Sequence, residues 1–252
     1  MDDVLRRLKP TRGFSSLAHN ALQVALPLII FALVRLNQDQ FTQLAIALVV
    51  LSKWRMFAVR PRFWLANIRA NSIDLIVGVS VVIFMLHSST ALVQFAWAIA
   101  YGIWLIYLKP ANGSLMISIQ ACIGQLAGLS ALYLLWPNGP IYGLTLLTGL
   151  ICFLAARHFF DSFDESYSRL LSYLWGYFGA SLAWLLSHWL LYYGVFSQPT
   201  ILLITISYAI SALYYLDHND KLSKAFKQQL IAFMLVIVVV VIIFSDWGSK
   251  VV

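Results

Sequence analysis

Charged residues are scarce in this chain of 252 residues: 11% are Asp, Glu, Lys or Arg, whereas 61% are hydrophobic. A water-soluble domain carries about a quarter charged residues, because its surface must stay hydrated. With 13 Gly and 7 Pro the chain is no collagen-like or low-complexity sequence, and 2 Cys are too few for a disulfide scaffold. The scarcity of charge therefore excludes a soluble globular domain and predicts a polytopic membrane protein.

Long apolar runs separated by short polar breaks fill the chain. A helix needs about 20 residues to cross a hydrocarbon core of about 30 Å. The nine runs cover residues 20–36, 41–59, 72–87, 91–108, 114–136, 140–158, 170–195, 199–216 and 229–245. Pro27 interrupts the first run and Lys53 lies in the second, so eight spans are the alternative. We expect one all-α transmembrane bundle over residues 1–252, with no soluble domain.

The basic residues lie mostly on one side of these nine spans. Lys and Arg in short loops stay on the cytoplasmic side of a membrane. With the N-terminus inside, all of the 17 basic residues except Arg35 and Lys250 face the cytoplasm. This distribution predicts a cytoplasmic N-terminus and an outer C-terminus in a bacterial-type cytoplasmic membrane. Contacts with anionic lipid headgroups then explain the net charge of +7 without a nucleic-acid partner.

A basic segment at residues 53–70, which we call the elbow, follows the second run. It combines aromatic and basic side chains, and Pro61 interrupts it, a pattern typical of a helical segment at a membrane interface. The residues that we expect to contact lipid headgroups are Lys53, Arg60, Arg62 and Arg69. The alternative is a docking surface for a cytoplasmic protein partner.

The fifth run combines small residues with two amides. Gly124 and Gly128 form a G-x-x-x-G pair, which lets a second helix approach closely. Gln120 and Gln125 lie beside this pair and need partners inside a membrane, so we expect both to face the bundle interior. They either hold helices together by hydrogen bonds or line a substrate site.

Two further runs carry aromatic residues at helical spacing. Trp184 and His188 in the seventh run are predicted to line a polar, aromatic wall, and Tyr101 lies in a similar stripe of the fourth run. The alternative for the aromatic residues is the belt that such side chains form at membrane interfaces. For His188 the alternative is a hydrogen-bonded structural role.

Acidic residues concentrate in two cytoplasmic loops. The polar residues of these loops are Arg157, His158, Asp161, Asp164, Glu165, Asp217 and His218. If the two loops meet, they could bind a hard cation or a cationic partner. The alternative is a solvated loop in which arginines neutralise the neighbouring acids. The sequence assigns no metal ligand set and leaves any cofactor unknown.

Two partial enzyme motifs are present. Residues 164–169 resemble the E-E-x-x-x-R motif of intramembrane CAAX-type proteases, and residues 184–188 resemble their F-x-x-x-H motif. A shared site requires Glu165 to meet His188, but one continuous helix would separate them by about 35 Å. Residues 53–61 resemble the K-x6-R-P motif of phosphatidic-acid-phosphatase-type enzymes, but the histidine-bearing segments of that family do not follow. We therefore name no catalytic residue, and enzyme activity is the less favoured interpretation.

These observations favour a small transporter or permease-like subunit that binds a modest polar or aromatic solute between the fourth, fifth and seventh spans. The residues expected to line that site are Tyr101, Gln120, Gln125, Trp184 and His188. One alternative is a membrane-embedded scaffold that docks a cytoplasmic partner. Another is a lipid-modifying or intramembrane enzyme.

Overall fold

The computed structural model describes residues 12–36, 39–163 and 165–245, and this part of the chain folds almost entirely into helices. The helices are α1 (Arg12–Arg35), α2 (Asp39–Leu51), α3 (Trp64–Ala70), α4 (Ser72–Leu86), α5 (Ala91–Ile103), α6 (Ser114–Leu135), α7 (Ile141–Phe160), α8 (Ser168–Leu186), α9 (Gln198–His218) and α10 (Lys224–Ile243). A π-helix, Trp104–Leu108, extends α5, and 3₁₀ turns cover Trp54–Met56, Pro61–Phe63, Asp161–Phe163 and Ser187–Trp189. Strands β1 (Tyr192–Tyr193) and β2 (Phe196–Ser197) form a small antiparallel hairpin.

Six helical segments within the described residues are long and apolar enough to cross a membrane, which supports an integral membrane protein. They are Ala91–Leu108, Ser114–Leu135, Ile141–Phe163, Ser168–Trp189, Gln198–His218 and Lys224–Ile243. A seventh span results if the bent pair Pro61–Ala70 and Ser72–Leu86, which meet at 61°, counts as one. The expected count of nine is not confirmed.

The first three predicted spans are not among the six, and the third counts only as part of the bent pair. Helix α2 has 13 residues, short of the roughly 20 that a crossing requires, and Pro27 interrupts the 24 residues of α1. The second helix ends at Leu51 rather than near residue 59, because a charged residue, Lys53, follows and turns inward to pair with Asp74. The seventh predicted run also ends early: α8 stops at Leu186, and a 3₁₀ turn and the β1–β2 hairpin occupy the rest.

Polar side chains fix the starts of several helices. Thr90 accepts a hydrogen bond from the backbone N–H of Val93 at the start of α5. Ser197 and Ser223 cap α9 and α10 in the same way, and Pro199 occupies the first turn of α9, where a missing N–H costs nothing. These caps fix the starts of α5, α9 and α10.

The bundle has two halves that meet at α4. The largest apolar cluster joins α1, α2, α4 and α5 around side chains such as Ile30, Val49, Val82 and Met85. Helices α6 to α10 form the other half. Between the halves, Gly124 and Gly128 of α6 face isoleucine side chains of α4, and a Cβ atom at either glycine would lie within 2.8 Å of them. The small-residue pair of the sequence thus lies at the closest approach of these two helices.

Helices α7 and α8 pack more closely than any other described pair. A Cβ atom at Gly149 would lie 3.1 Å from the carbonyl oxygen of Gly176, and one at Gly176 would lie 3.0 Å from the carbonyl oxygen of Gly149. The two backbones therefore touch directly. Helix α10 is the opposite case, because it packs mainly on α9 and leaves most of its apolar side chains, such as Val236 and Ile243, exposed.

Most of the described basic residues lie at one end of the bundle, which we call the basic end. Contacts between side chains define this end: Lys53 pairs with Asp74, Gln120 bonds to the backbone after α5, and His158 of α7 bonds to Gln120. The elbow lies here too, with Arg60, Arg62 and Arg69 exposed. At the opposite end the Tyr192 hydroxyl of the β-hairpin donates to the carbonyl of Tyr133.

Candidate functional site

A cavity of about 320 Å³ lies between α6, α7, α8 and α9. Its lining is mostly apolar, with Ala155, Ala156, Phe159, Leu174 and Phe178 among the residues, and the polar contributions come from Gln125, Ser207 and Ser211 and from the Trp175 indole. This volume is within the range of about 300–1,000 Å³ that small-molecule sites occupy. The cavity is therefore large enough for a ligand and far less polar than the solute site expected from the sequence.

Gln125 is the polar centre of this cavity and is almost completely buried. Its Oε1 accepts hydrogen bonds from the Ser207 hydroxyl at 3.0 Å and from the Trp175 indole at 3.4 Å. Its Nε2 donates to the thiol of Cys152 at 3.7 Å. One amide thus connects α6 with α7, α8 and α9 at the wall of the cavity. A thiol is a weak acceptor, so the two N–H groups of this amide retain donor capacity.

The cavity opens sideways, between α8 and α9. Three of its lining residues, Leu174 and Phe178 of α8 and Ile210 of α9, are exposed on the flank of the bundle. Helix α8 packs mainly against α7 and only weakly against α9, which leaves a gap between α8 and α9.

Of the five residues expected to line one solute site, Gln125 is the one that lines the cavity. Gln120 lies outside it and connects helix ends: its Nε2 donates to the Leu108 carbonyl at 2.6 Å and the Ala111 carbonyl at 3.1 Å. Its Oε1 accepts from the His158 ring at 3.0 Å. Gln120 therefore fulfils the structural alternative, a hydrogen-bonded link between α6, α7 and the loop after α5.

The other three residues do not join Gln125. Tyr101 is fully buried between α4 and α5, where its hydroxyl has no hydrogen-bond partner among the described residues. Trp184 is 50% exposed on the flank of the bundle, and the His188 ring packs against it in an edge-on arrangement at 5.3 Å. His188 also bonds to the Trp184 carbonyl of the preceding turn. The structure thus separates the expected lining into four places, and the cavity lies among the fifth, sixth, seventh and eighth predicted spans.

A buried group of charges, which we call the charge cluster, lies at the basic end. It consists of Lys53 after α2, Asp74 in the first turn of α4, and Lys109 after α5. Both ammonium groups pair with the same oxygen, Oδ2 of Asp74, and the distance from Lys109 Nζ is 2.7 Å. The Trp104 indole donates to the other oxygen, Oδ1, at 2.9 Å. Asp74 is thus not a helix-end residue open to water, as its position in the sequence suggests.

The π-helix at residues 104–108 positions two members of the charge cluster. In an α-helix, residues five apart differ by about 140° around the axis, because each residue advances by about 100°. The wider turn, closed by the hydrogen bond from the Lys109 N–H to the Trp104 carbonyl at 2.8 Å, reduces this difference. Trp104 and Lys109 therefore reach the same carboxylate. The amino-acid composition gives no signal for such a turn, so neither residue can be assigned to a charge cluster from the sequence.

Burial dominates the electrostatics of the charge cluster. The side chains of Lys53 and Asp74 are each 8% exposed, whereas that of Lys109 is 35% exposed. Removal of Lys53 from water lowers its pKa from 10.5 to about 8, although the Asp74 carboxylate opposes the shift. Lys53 was expected at the lipid headgroups; the structure places it inside. Arg60, Arg62 and Arg69 of the elbow remain exposed.

The two acidic loops do meet at the basic end. Tyr214 of α9 donates to Glu165 at 2.5 Å, and the rings of Phe163 and His218 pack at 5.1 Å. The Tyr214 hydroxyl bond is the main cause that lowers the pKa of Glu165. Arg157 bonds to Asp161 at 2.9 Å and to the Ser168 hydroxyl at 2.7 Å.

Ring packing, single hydrogen bonds and one ion pair connect these loops, and the contacts do not resemble a set of metal ligands. The described residues contain no group of three or more His, Cys, Asp or Glu that could hold a metal ion. Asp217 is exposed, and Asp164 lies outside the described residues.

The protease-like motif residues lie at opposite ends of α8. Glu165 precedes this helix of 19 residues and His188 follows it, so about 28 Å of helix separates them. The described residues therefore form no joint site from this pair. No protein-family model, curated protein or solved structure matches the chain, so inferences about its function start from the cavity and the charge cluster.

Proposed function

We propose that the protein is a membrane-embedded carrier that binds a mainly apolar small molecule in the cavity beside Gln125. The observation that supports this proposal is the combination of one buried amide with an otherwise apolar wall. Apolar pockets with a few well-placed polar groups are the usual form of small-molecule sites, in which the polar groups fix the orientation of the ligand. The proposal keeps the transporter interpretation of the sequence and changes the solute from a modest polar or aromatic molecule to a mainly apolar one.

The hydrogen bonds of Gln125 indicate which polar group the ligand carries. Its Oε1 already accepts from Ser207 and Trp175, whereas its Nε2 has the weak acceptor Cys152. A ligand therefore gains most by presenting an acceptor, such as a carbonyl or ester oxygen, to Nε2. The proposed solute is an apolar molecule with one such oxygen, which reaches the cavity through the gap between α8 and α9.

The substitution Gln125→Leu tests the proposal, because it removes the amide at similar size. We expect the bound molecule to be lost, since one hydrogen bond in an apolar pocket changes affinity by about tenfold or more. The measurement is native mass spectrometry of the protein extracted gently from its own membrane. A small mass that accompanies the wild type and is absent from Gln125→Leu supports the proposal and gives the mass of the solute.

Gln120→Leu is the matched control. It is the same substitution in the same helix, at a buried and hydrogen-bonded amide that does not line the cavity. We expect Gln120→Leu to keep the small mass, even if it lowers the yield of folded protein. Equal retention or equal loss in the two folded variants would contradict a ligand role for Gln125.

A second candidate function is the docking of a cytoplasmic protein by the elbow. The observation that favours it is the exposure of Arg60, Arg62 and Arg69 together with Leu65, which is 82% exposed. In the same mass spectra, this function predicts a protein partner in fixed stoichiometry that is lost when the three arginines become glutamate. A partner that persists in this variant would contradict docking by the elbow.

A further inference from the structure

The charge cluster carries more positive than negative charge. Two lysine ammonium groups share one oxygen of one carboxylate, and among the described residues Asp74 is the carboxylate that pairs with either of them. Its second oxygen is occupied by the Trp104 indole, which holds the carboxylate in its orientation. Asp74 therefore cannot neutralise both lysines, and one positive charge stays uncompensated.

This excess charge is accessible from one side. Lys53 is enclosed, but the Lys109 side chain is 35% exposed at the basic end of the bundle. A lysine ammonium has three N–H donors, so Lys109 can hold Asp74 and a second anion together. The exposed arginines of the elbow lie at the same end and attract anions toward it.

We propose that the charge cluster binds a phosphate-bearing anion, with Lys109 as its contact residue. A phosphodiester carries one negative charge, which equals the excess of the cluster, and lysine ammonium groups bind phosphate as point charges. The source of the phosphate is either an anionic lipid headgroup or free inorganic phosphate. This site lies between α2, α4 and α5, apart from the cavity of the proposed carrier, so neither proposal depends on the other.

Binding of dioctanoyl phosphatidylglycerol to the full chain in a neutral detergent tests the site. The variants are Lys109→Gln, which removes the excess charge, Lys109→Arg, which keeps it, and Lys224→Gln, which removes the same charge from an exposed residue at the start of α10. We expect Lys109→Gln to weaken binding about tenfold, as the loss of one charged hydrogen bond implies. Lys109→Arg and Lys224→Gln should retain the affinity of the wild type.

Two further probes distinguish the sources of the phosphate. Dioctanoyl phosphatidylcholine has the same chains and no net charge, so weaker binding of this lipid supports recognition of the anion. Inorganic phosphate that binds with the same sensitivity to Lys109→Gln assigns the site to free phosphate. Equal binding of both lipids, or equal loss in Lys109→Gln and Lys224→Gln, would overturn the proposal.

A measurement on the unchanged protein decides the case in which Lys109→Gln does not fold. Inorganic phosphate should displace phosphatidylglycerol from the wild type more effectively than chloride does at the same ionic strength, because a specific site recognises phosphate beyond general screening. Equal displacement by the two salts would show a diffuse surface effect and overturn the proposal.

Discussion

Asp74→Asn is expected to destabilise the protein strongly, because it removes the carboxylate between two buried ammonium groups. The substitution keeps an oxygen that can accept the Trp104 indole hydrogen bond, so the change is mainly electrostatic. Two unit charges about 4 Å apart interact by about 4 kcal/mol at an effective dielectric constant of about 20. Asp74→Asn loses two such interactions, one with Lys53 and one with Lys109. A neutral amide costs less to bury than a carboxylate, which offsets part of this loss. We expect a net loss of about 3–5 kcal/mol, the usual cost of breaking a buried ion pair.

The free energy of unfolding measures this effect, with sodium dodecyl sulfate as the denaturant in mixed micelles and circular dichroism as the signal. Asp161→Asn is the matched control, since Asp161 also pairs with a basic residue but its side chain is 44% exposed. Arg157 is 10% exposed but keeps its hydrogen bond to Ser168, and the carboxylate of this pair is half-exposed, so this variant should lose much less stability than Asp74→Asn. A second change, Lys109→Gln, should restore part of the stability of Asp74→Asn. Equal small losses in Asp74→Asn and Asp161→Asn would refute the reasoning.

Three other predictions concern helix packing and pH. Gly176→Ala should lower the free energy of unfolding by about 1–3 kcal/mol, because the added methyl group would contact a backbone carbonyl oxygen that cannot move aside. Gly102→Ala should raise it by about 0.5–1 kcal/mol, since its methyl group has room. Thermal unfolding in detergent compares the two variants. Burial lowers the pKa of Lys53, so the unfolded chain binds its proton more tightly, and wild-type stability should rise relative to Lys53→Met between about pH 8 and 10.5. Tyr214→Phe removes the bond that lowers the pKa of Glu165, so the stability advantage of the wild type at neutral pH should shrink as the pH falls through that lowered value.

Helix positions followed closely from the sequence because apolar runs and their polar breaks are local features. The sixth run, predicted over 140–158, became α7 at Ile141–Phe160, and the eighth, predicted over 199–216, became α9 at Gln198–His218. The crossing count depends on helix length and continuity, and the first three runs do not count as single helical spans among the described residues. Seven crossings remove two of the nine predicted ones, an even number, and leave the sidedness of every later loop unchanged, whereas six crossings remove three and reverse it. The orientation therefore stays a prediction.

The site was less accessible from the sequence because it depends on which helices become neighbours. Two amides in one helix looked equivalent, but they are five residues apart and therefore point in different directions. In the structure Gln125 lines the cavity, whereas Gln120 donates hydrogen bonds to the end of α5 and the loop after it. The charge cluster depends on residues 53, 74 and 109, which come together only once α2, α4 and α5 pack. A lone acid in an apolar run was the available signal, but its partners follow from tertiary structure.

The direct backbone contact between Gly149 and Gly176 determines which wall of the cavity can move. Because their backbones are in contact at Gly149 and Gly176, helices α7 and α8 cannot slide past each other and form one rigid pair. Helix α9 packs only weakly against this pair. A wider gap beside the cavity would require a displacement of α9 relative to this pair, and such a displacement would break the Ser207 hydrogen bond to Gln125.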